Sequence, residues 1–494
     1  MRLEKLLNAL PEKKVTGSIN IDIDKISSHS KQITNRTLFV AIPGFVHDGL
    51  NFVPEALEKG AKAVIAEKEF TCPANITKII VPSARKATAY LAACFYDYPA
   101  EKLKLIGITG TKGKTTTSHL AYSIFKESGF KTGLSTTIEI KTIKNKIETK
   151  RTTNEAMDIQ NFLNQLVEEK ADYAVMEVSS HGLALDRVTG CRFDAAVFTN
   201  LSHDHLDFHH NFSEYLNAKL KLFEMLKDSG IGIVNIDDPA GQNFLDICGR
   251  NKLTYGLNKK SGITAEKIIY SEKGISCEIN TPAGSFGLVS SLHGIFNLYN
   301  ILCACSIGIS QNIAINNIKK GLEKVNYIPG RFEYIDCGQP FKIVIDYAHS
   351  PDSLEQVLKT AGSLAKGRVL LVFGATGNRD KTKRPVMGKI AAELVDFFII
   401  TNDDTYNEDP MEIIGQIENG IKKTGKRKDI EYKVIPERKD AIYALIKYAK
   451  QDDFLVIAGK GHETKQILKD KTIDSNDREI VEKILKNNVM YNFF

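Results

Sequence analysis

Between Lys104 and Thr117 the chain reads KLIGITGTKGKTTT, and no other stretch constrains the fold as tightly. An apolar run at Leu105-Ile106 leads into Gly107, Gly110 and Gly113, then Lys114-Thr115, then a segment that places Leu120, Ile124 and Phe125 on one helical face before Gly129 as a C-cap. The order strand, glycine loop, helix builds a phosphate cradle. Glycines let backbone N–H groups turn inward, the helix N-terminus adds positive potential, Lys114 reaches the β/γ-phosphates and Thr115 offers a hydroxyl to Mg²⁺. The expected nucleoside triphosphate site is Gly110, Thr111, Lys112, Gly113, Lys114, Thr115 and Thr116. One position departs from the common pattern: Ile108 stands where its first glycine belongs, with Gly107 one step off. The plain alternative is a glycine-rich turn between strand and helix.

At 494 residues, 43% hydrophobic and 26% charged, the chain has room for about three globular domains. A net charge of +6 without a long basic run leaves little electrostatic footprint for nucleic acid and suits an anionic substrate equally well. The N-terminal MRLEKLLNALPEKK lacks the apolar core and cleavage site of a signal peptide, and no apolar run reaches membrane-spanning length. The eight cysteines are dispersed without a CxxC pair. The expectation is a reduced, cytoplasmic protein.

Residues 1–98 read as a small α/β unit, with TLFVAIPG and AKAVIAE as strands and FVPEALEKG as the helix between them. Ser30 sits in a polar loop, where a capping or turn role is the simplest one. The proline and charges of YDYPAEK, residues 96–102, mark a domain boundary. Farther on, YAVMEV (173–178) reads as a buried strand that delivers Glu177 to the carboxyl edge of a sheet, where open α/β sheets bind ligands and a carboxylate can hold Mg²⁺. An isolated glutamate at a strand end is more often a surface residue. FTNLSHDHLDFHH, residues 198–210, nearly gives the HxHxDH zinc signature through His203, His205, Asp207 and His209, but Phe208 is one residue too many. A di-zinc hydrolase would also leave the phosphate loop without a role.

Together the motifs resemble Mur ligases in order and spacing: GTKGKTT at 110–116, EVSSHGL at 177–183, TNLSHDHLDFH at 199–209, AKLKLF at 218–223, GIFNLYN at 294–300, PGRFE at 329–333, DYAHSPD at 346–352, GNRDKTKRPVMG at 377–388 and GKGHE at 459–463. Within that family the chain is most similar to the UDP-N-acetylmuramoyl-tripeptide synthetase (MurE) type. The resemblance implies an α/β protein of three domains: residues 1–98 for a uridine nucleotide, 99–329 as a P-loop ATPase, and 330–494 as a Rossmann-like domain for an amino acid. It implies ATP-driven amide formation through an acyl phosphate, in cell-wall peptide synthesis, by a monomer that meets a UDP-linked muramoyl peptide and a free amino acid. Folylpolyglutamate synthases, other Mur steps and pseudomurein-type ligases share the core motifs. A catalytically silent nucleotide-binding scaffold is disfavoured by Lys114, Glu177, His205 and Lys219 occurring together.

By motif match, Lys114 and Thr115 hold phosphates and a first Mg²⁺, while Glu177 and His205 hold a second. Lys219 falls where the family carries a carbamylated lysine, whose added carboxylate helps bind that metal; a plain lysine beside two Mg²⁺ ions would be repelled. Read alone, Lys219 is a solvated helix lysine. Asn297 and Asn300 match the adenine side, and Arg331 and Asp346 match the groups that reach ATP from the C-terminal domain, although composition alone makes Arg331 a surface charge. Ser30, the loop Phe45-Val46-His47, Thr152, Thr153, Ser179 and Arg187 match contacts to the uridine substrate. Lys112, Asn154 and Leu185 stand where the family has asparagine, proline and glutamine.

The amino-acid site decides the substrate. Enzymes that add meso-diaminopimelate carry Asp-Asn-Pro-Arg, whose arginine grips the distal carboxylate. Here the aligned residues are Asp403-Asp404-Thr405-Tyr406, and tyrosine forms no such ion pair. Arg379 remains for the α-carboxylate. Gly459 and Glu463 belong to the same site, and Glu463 with Asp404, Glu408 or Asp409 can receive a side-chain ammonium. L-Lysine or another basic amino acid is the expectation, with Lys465 the first suspect for a missing cation if diaminopimelate is used instead.

Overall fold

The computed structural model describes residues 1–149, 151–258 and 260–489. Three open sheets carry the chain. In the first, five strands lie in the spatial order Lys14–Thr16, Thr77–Ile80, Ala61–Ala66, Thr37–Val40, Lys25–Ser27, and only the outermost, Lys14–Thr16, runs antiparallel. The apolar run AKAVIA is almost wholly buried, as a strand covered on both faces must be. Helix Ala84–Phe95 closes one face, its N-terminus capped by Ser83, whose hydroxyl accepts the Lys86 N–H at 3.2 Å.

The second sheet has eight strands, in the order Lys252–Tyr255, Leu226–Asn235, Phe193–Phe198, Lys104–Thr109, Tyr173–Glu177, Thr132–Ser135, Glu139–Lys141, Lys146–Glu148. The first six are parallel. Strand Lys104–Thr109 lies between two neighbours in register, Ile108 opposite Glu177 and Thr109 opposite Phe198, so the residues that follow all three strands meet at one edge. Helix Lys114–Glu127 buries Leu120, Ala121, Ile124 and Phe125 against this sheet and against helix Ile295–Ser310, and Phe125 stacks on Tyr173 at 4.1 Å. Each such side chain stabilises the fold by roughly 1.5–3 kcal/mol. A three-stranded antiparallel sheet, Thr264–Ser271, Gly274–Thr281 and Gly284–Ser290, adjoins this core.

The third sheet runs Glu333–Ile335, Lys342–Asp346, Phe454–Ala458, Val369–Phe373, Phe397–Ile400, Tyr432–Val434. All but Glu333–Ile335 are parallel, and apolar clusters fill both faces. Register pairs Asp346 with Ala458. The carboxyl ends of these two strands therefore hand the 347–350 and 459–463 loops to one side, which is the arrangement that makes ligand crevices in open α/β sheets. Among the described residues no helix is long and apolar enough to cross a membrane.

Candidate active site

A cleft of about 220 Å³ opens where the second and third sheets face each other, lined by the phosphate loop, Glu177, Asp204 and His205 on one side and by Arg331, Asp346 and Tyr347 on the other. The loop's shape is enforced locally. Gly110 has φ +145° and Gly113 φ +84°, and a Cβ at Gly110 would collide with the Thr199 hydroxyl. The Lys112 N–H donates to Asn200 Oδ1 at 2.9 Å, and the Lys112 carbonyl accepts from the Thr199 hydroxyl at 2.6 Å and from Asn200 Nδ2 at 3.1 Å. Lys114 Nζ curls back onto the carbonyls of Gly110 and Thr111, at 3.0 and 2.9 Å. Burial pushes its ammonium down to about 8. Thr115 and Thr116 are buried at the helix start beneath it.

Glu177 is no surface residue: it is 1% exposed, and Thr137 holds both of its oxygens, through its N–H at 2.9 Å and its hydroxyl at 3.1 Å. His205 is half-buried in a left-handed backbone conformation, φ +55°, and burial pushes its imidazolium down to about 3, so the ring is neutral and free to ligate. Lys219 is 1% exposed, which removes the reading as a solvated helix lysine. Its only hydrogen bond among the described residues is to the Gly110 carbonyl, at 2.8 Å, and it lies 4.4 Å above the Tyr215 ring. Burial, reinforced by Lys114, drives its ammonium well below the usual lysine range. The result is a buried lysine beside the phosphate loop whose surroundings favour the neutral amine.

Across the cleft, Arg331 is likewise not a free surface charge. Its Nη2 donates to the Thr115 hydroxyl at 3.2 Å, and its guanidinium stacks on Tyr347 at 4.7 Å. Asp346 accepts the Phe332 N–H at 2.7 Å, and burial pushes its carboxyl up to about 6. Asn297 and Asn300 are buried and joined at 3.0 Å, with Asn297 anchored to the His293 carbonyl at 2.9 Å. On the side toward the first sheet, the Thr153 hydroxyl donates to the Glu177 carbonyl at 3.0 Å and accepts the Ser179 N–H at 2.9 Å, while Arg187 donates to the Thr153 carbonyl at 2.9 Å. The Thr152 hydroxyl lies 3.1 Å from that of Thr137, which ties this segment to Glu177. Ser30 opens a short 3-10 turn and is buried, whereas Phe45 and Val46 stand 78% and 84% exposed on a loop whose Phe45 ring approaches Phe208 at 6.1 Å. His47 lies on the same loop, packed edge-on to Phe52 at 6.3 Å.

The pocket built by the third sheet is anionic. Asp403, Asp404 and Thr405 are buried, and Asp403 Oδ2 finds no hydrogen-bond partner among the described residues. Gly459, at φ +114°, brings its backbone up to that same oxygen, and a Cβ there would press on it. Lys460 is 1% exposed and bridges Asp404 at 2.7 Å and Glu463 at 2.5 Å; Glu463 also accepts the Tyr347 hydroxyl at 3.2 Å. Tyr406 turns through a left-handed conformation, φ +47°, and the exposed Arg379 is close enough to influence both it and His181. Two expected ammonium acceptors are otherwise engaged. Glu408 is paired with Arg384 at 2.8 and 3.0 Å and with Lys381 at 3.2 Å, which holds its carboxyl down at about 2, and Asp409 caps helix Pro410–Ile421. Lys465 is exposed on a hairpin strand, so the cation inside the pocket is Lys460 instead.

Comparison with known proteins agrees with this architecture. Family models match over three consecutive stretches: "Mur ligase family, catalytic domain" at residues 22–96, "Mur ligase middle domain" at 108–308 and "Mur ligase, glutamate ligase domain" at 330–461. A Clostridium acetobutylicum protein named UDP-N-acetylmuramoyl-L-alanyl-D-glutamate--2,6-diaminopimelate ligase 1 is 41% identical over 488 residues, covering 98% of this chain and 99% of the relative. The chain belongs to the Mur ligase family. A Bacillus licheniformis ligase of the same name, without the numeral, is 40% identical over 492 residues, at 98% and 99% coverage. A solved structure titled as a 2,6-diaminopimelate ligase superposes with a TM-score of 0.66 at 30% identity, covering 95% of this chain and 98% of its own. These names conflict with the expectation of lysine. In this Mur ligase the phosphate loop, Glu177, His205, Arg331 and Asp346 line one cleft, Lys219 lies against the loop through the Gly110 carbonyl, and the loop Phe45-Val46-His47 approaches through Phe208 without lining the cleft. Lys460, Thr137 and the Asn200 clamp escaped sequence reasoning. Lys460 sits inside the quoted GKGHE motif, so its motif was in view and its pairing was not.

Proposed function

We propose that this Mur ligase joins an amino acid to a UDP-N-acetylmuramoyl-dipeptide acceptor at the expense of ATP, and that the amino acid is basic and lacks a distal carboxylate. The observation that carries the substrate choice is the pocket of Asp403, Asp404 and Glu463, in which Lys460 bridges Asp404 and Glu463, the neighbouring buried Arg438 is paired with Asp477, and Tyr406 occupies the place of an arginine. An ammonium side chain meets Asp403 Oδ2 there, which has no partner among the described residues, whereas a carboxylate would be buried among Asp403, Asp404 and Glu463. Arg379, at the mouth, is left for the α-carboxylate. The names of the 40%-identical relatives support a second reading, meso-diaminopimelate, for which this chain would need a cation from outside the pocket.

In the reaction, a carboxylate oxygen of the acceptor attacks the γ-phosphorus and the bond to ADP breaks. The amino acid's amine then attacks the acyl carbon, loses a proton, and phosphate leaves. Lys114 and the backbone N–H groups of the loop hold and neutralise the phosphates, Arg331 reaches them past Thr115, and Asn297 and Asn300 flank the base; such chemistry is mostly positioning and charge stabilisation. Buried Glu177, neutral His205 and the Thr115 hydroxyl line one cleft and fit Mg²⁺, which when bound neutralises charge on the transferring phosphoryl group. We assign Lys219 as a carbamate: buried beside the phosphate loop, its deprotonated amine can add CO₂, lose a proton, and so place a carboxylate there. Lys219→Ala should lose turnover, and a short carboxylic acid should restore part of it; activity in the alanine variant near wild type would refute the assignment. Residues 1–98 are taken as the uridine-nucleotide unit, 99–329 as the ATPase and 330–494 as the amino-acid unit of a cytoplasmic monomer. The test of the whole reading is to incubate the protein with ATP, Mg²⁺ and UDP-N-acetylmuramoyl-dipeptide, offer amino acids singly, and weigh the product. A mass gain only with non-basic amino acids, or none at all, contradicts it.

A further inference from the structure

Lys112 is the residue of the phosphate loop that departs from the family pattern, and the structure gives it a partner. Its backbone is held on both sides by Asn200 and by the Thr199 hydroxyl, so the base of the side chain is fixed. From there Nζ reaches Asp204 Oδ2 at 3.0 Å. The other oxygen of that carboxylate, Oδ1, accepts the N–H of His205 at 3.0 Å. His205 is the residue with φ +55°, a conformation that L side chains rarely adopt and that needs outside contacts to persist. Asp204 is 13% exposed in its side chain, and Lys112 supplies its one side-chain hydrogen bond among the described residues.

We propose that Lys112 is a positioning residue: through Asp204 it straps the backbone of His205 into the left-handed turn that presents the imidazole to the cleft. The chain Lys112, Asp204, His205 thereby couples the phosphate loop to the ligand side of the site. A neutral residue at 112 leaves the Asp204 carboxylate with the His205 N–H alone and free to turn to water, and His205 then relaxes. The inference rests on the reading of His205 as a metal ligand, and the alternative it excludes is Lys112 as a direct phosphate contact.

The test is a titration of Mn²⁺ by electron paramagnetic resonance into the full-length protein with β,γ-methylene-ATP present, comparing wild type, His205→Ala, Lys112→Met and Lys112→Arg. A lost charge-assisted hydrogen bond predicts Mn²⁺ binding about 10-fold to 100-fold weaker in Lys112→Met, with Lys112→Arg close to wild type. In steady state the Mg²⁺ half-saturation point rises in Lys112→Met while KM for ATP moves less than about threefold. Asp204→Asn should reproduce Lys112→Met, and adding the second change to the first should cost little more; this variant also serves if Lys112→Met fails to fold by circular dichroism. Should His205→Ala weaken Mn²⁺ while both Lys112→Met and Asp204→Asn bind as wild type, the strap is refuted and the metal reading stands. Should His205→Ala itself bind as wild type, the metal reading fails and the inference with it. Equal losses of Mn²⁺ and nucleotide affinity in Lys112→Met, unrestored by arginine, would make Lys112 a phosphate contact and overturn the proposal.

Discussion

The nucleotide cleft and the amino-acid pocket meet at Tyr347 and arrange their charges differently. Around the phosphate loop, Lys112, Lys114 and Arg331 share the cleft with Glu177, Asp204 and Asp346, and two lysines are pushed down in pKa by burial. In the pocket of the third sheet, Lys460 bridges Asp404 and Glu463, buried Arg438 is taken up by Asp477, and Asp403 Oδ2 has no hydrogen-bond partner among the described residues. In the cleft Lys112 is ion-paired with Asp204 while Lys114 and Arg331 rest on neutral oxygens, which leaves them for phosphates; in the pocket Asp403 Oδ2 is left for an ammonium. The difference also shows in what each site tolerates. The cleft is scaffolded by a backbone loop that glycines shape and Asn200 and Thr199 clamp, whereas the pocket's selectivity rests on charged side chains.

Breaking the cationic side should have the largest effect. Lys114→Ala removes the ammonium aimed at the phosphates and is expected to lower acceptor-dependent phosphate release by about a thousandfold or more, with an unchanged circular dichroism spectrum; near-wild-type release would mean that nucleotide binds elsewhere. Breaking the anionic side comes next. Glu463→Gln takes one charge from the Lys460 bridge and should lower kcat/KM for a basic amino acid by about 10-fold to 100-fold, with KM for ATP unaffected. A loss confined to ATP would show that the two sites are not separate in the way described.

The smallest effect is a matter of pH. In the free protein Lys114 titrates near 8, and phosphate favours its charged form, so ADP binding is pH-independent below 8 and takes up a proton above it. ADP affinity should therefore fall as pH rises beyond 8, approaching about tenfold per unit, with proton uptake visible by calorimetry in buffers of different ionisation enthalpy. Constant affinity to pH 9.5 would show that the amine stays charged without phosphate.

The cleft was largely legible in the sequence because its parts are contiguous: a strand, three glycines and Lys114-Thr115 define their own geometry, and Glu177 and His205 each follow a strand whose register aligns it with that loop. The pocket was legible only in part. Residues Asp403 and Glu463 were found by motif, but whether a carboxylate is free depends on its partners, several of them far along the chain. Glu408 is consumed by Arg384 and Asp409 by a helix N-terminus, while Lys460 reaches Asp404 across 56 positions of sequence. Asp409 ahead of Pro410 follows a local capping pattern, but no local pattern carries the pairings of Glu408 and Lys460, which the packing of distant segments decides. The same holds for Lys112, whose neighbour Asp204 comes from a different loop of the same sheet edge.

The central claim, that an anionic pocket selects an ammonium over a carboxylate, is tested most directly by competition. With ATP, Mg²⁺ and UDP-N-acetylmuramoyl-dipeptide saturating, L-lysine and meso-diaminopimelate are mixed in equal amounts and the two products counted by mass. The pocket predicts a kcat/KM ratio favouring lysine by about two decades or more, the cost of burying a carboxylate without its cation. Equal use, or a preference for meso-diaminopimelate as the relatives' names suggest, would contradict it.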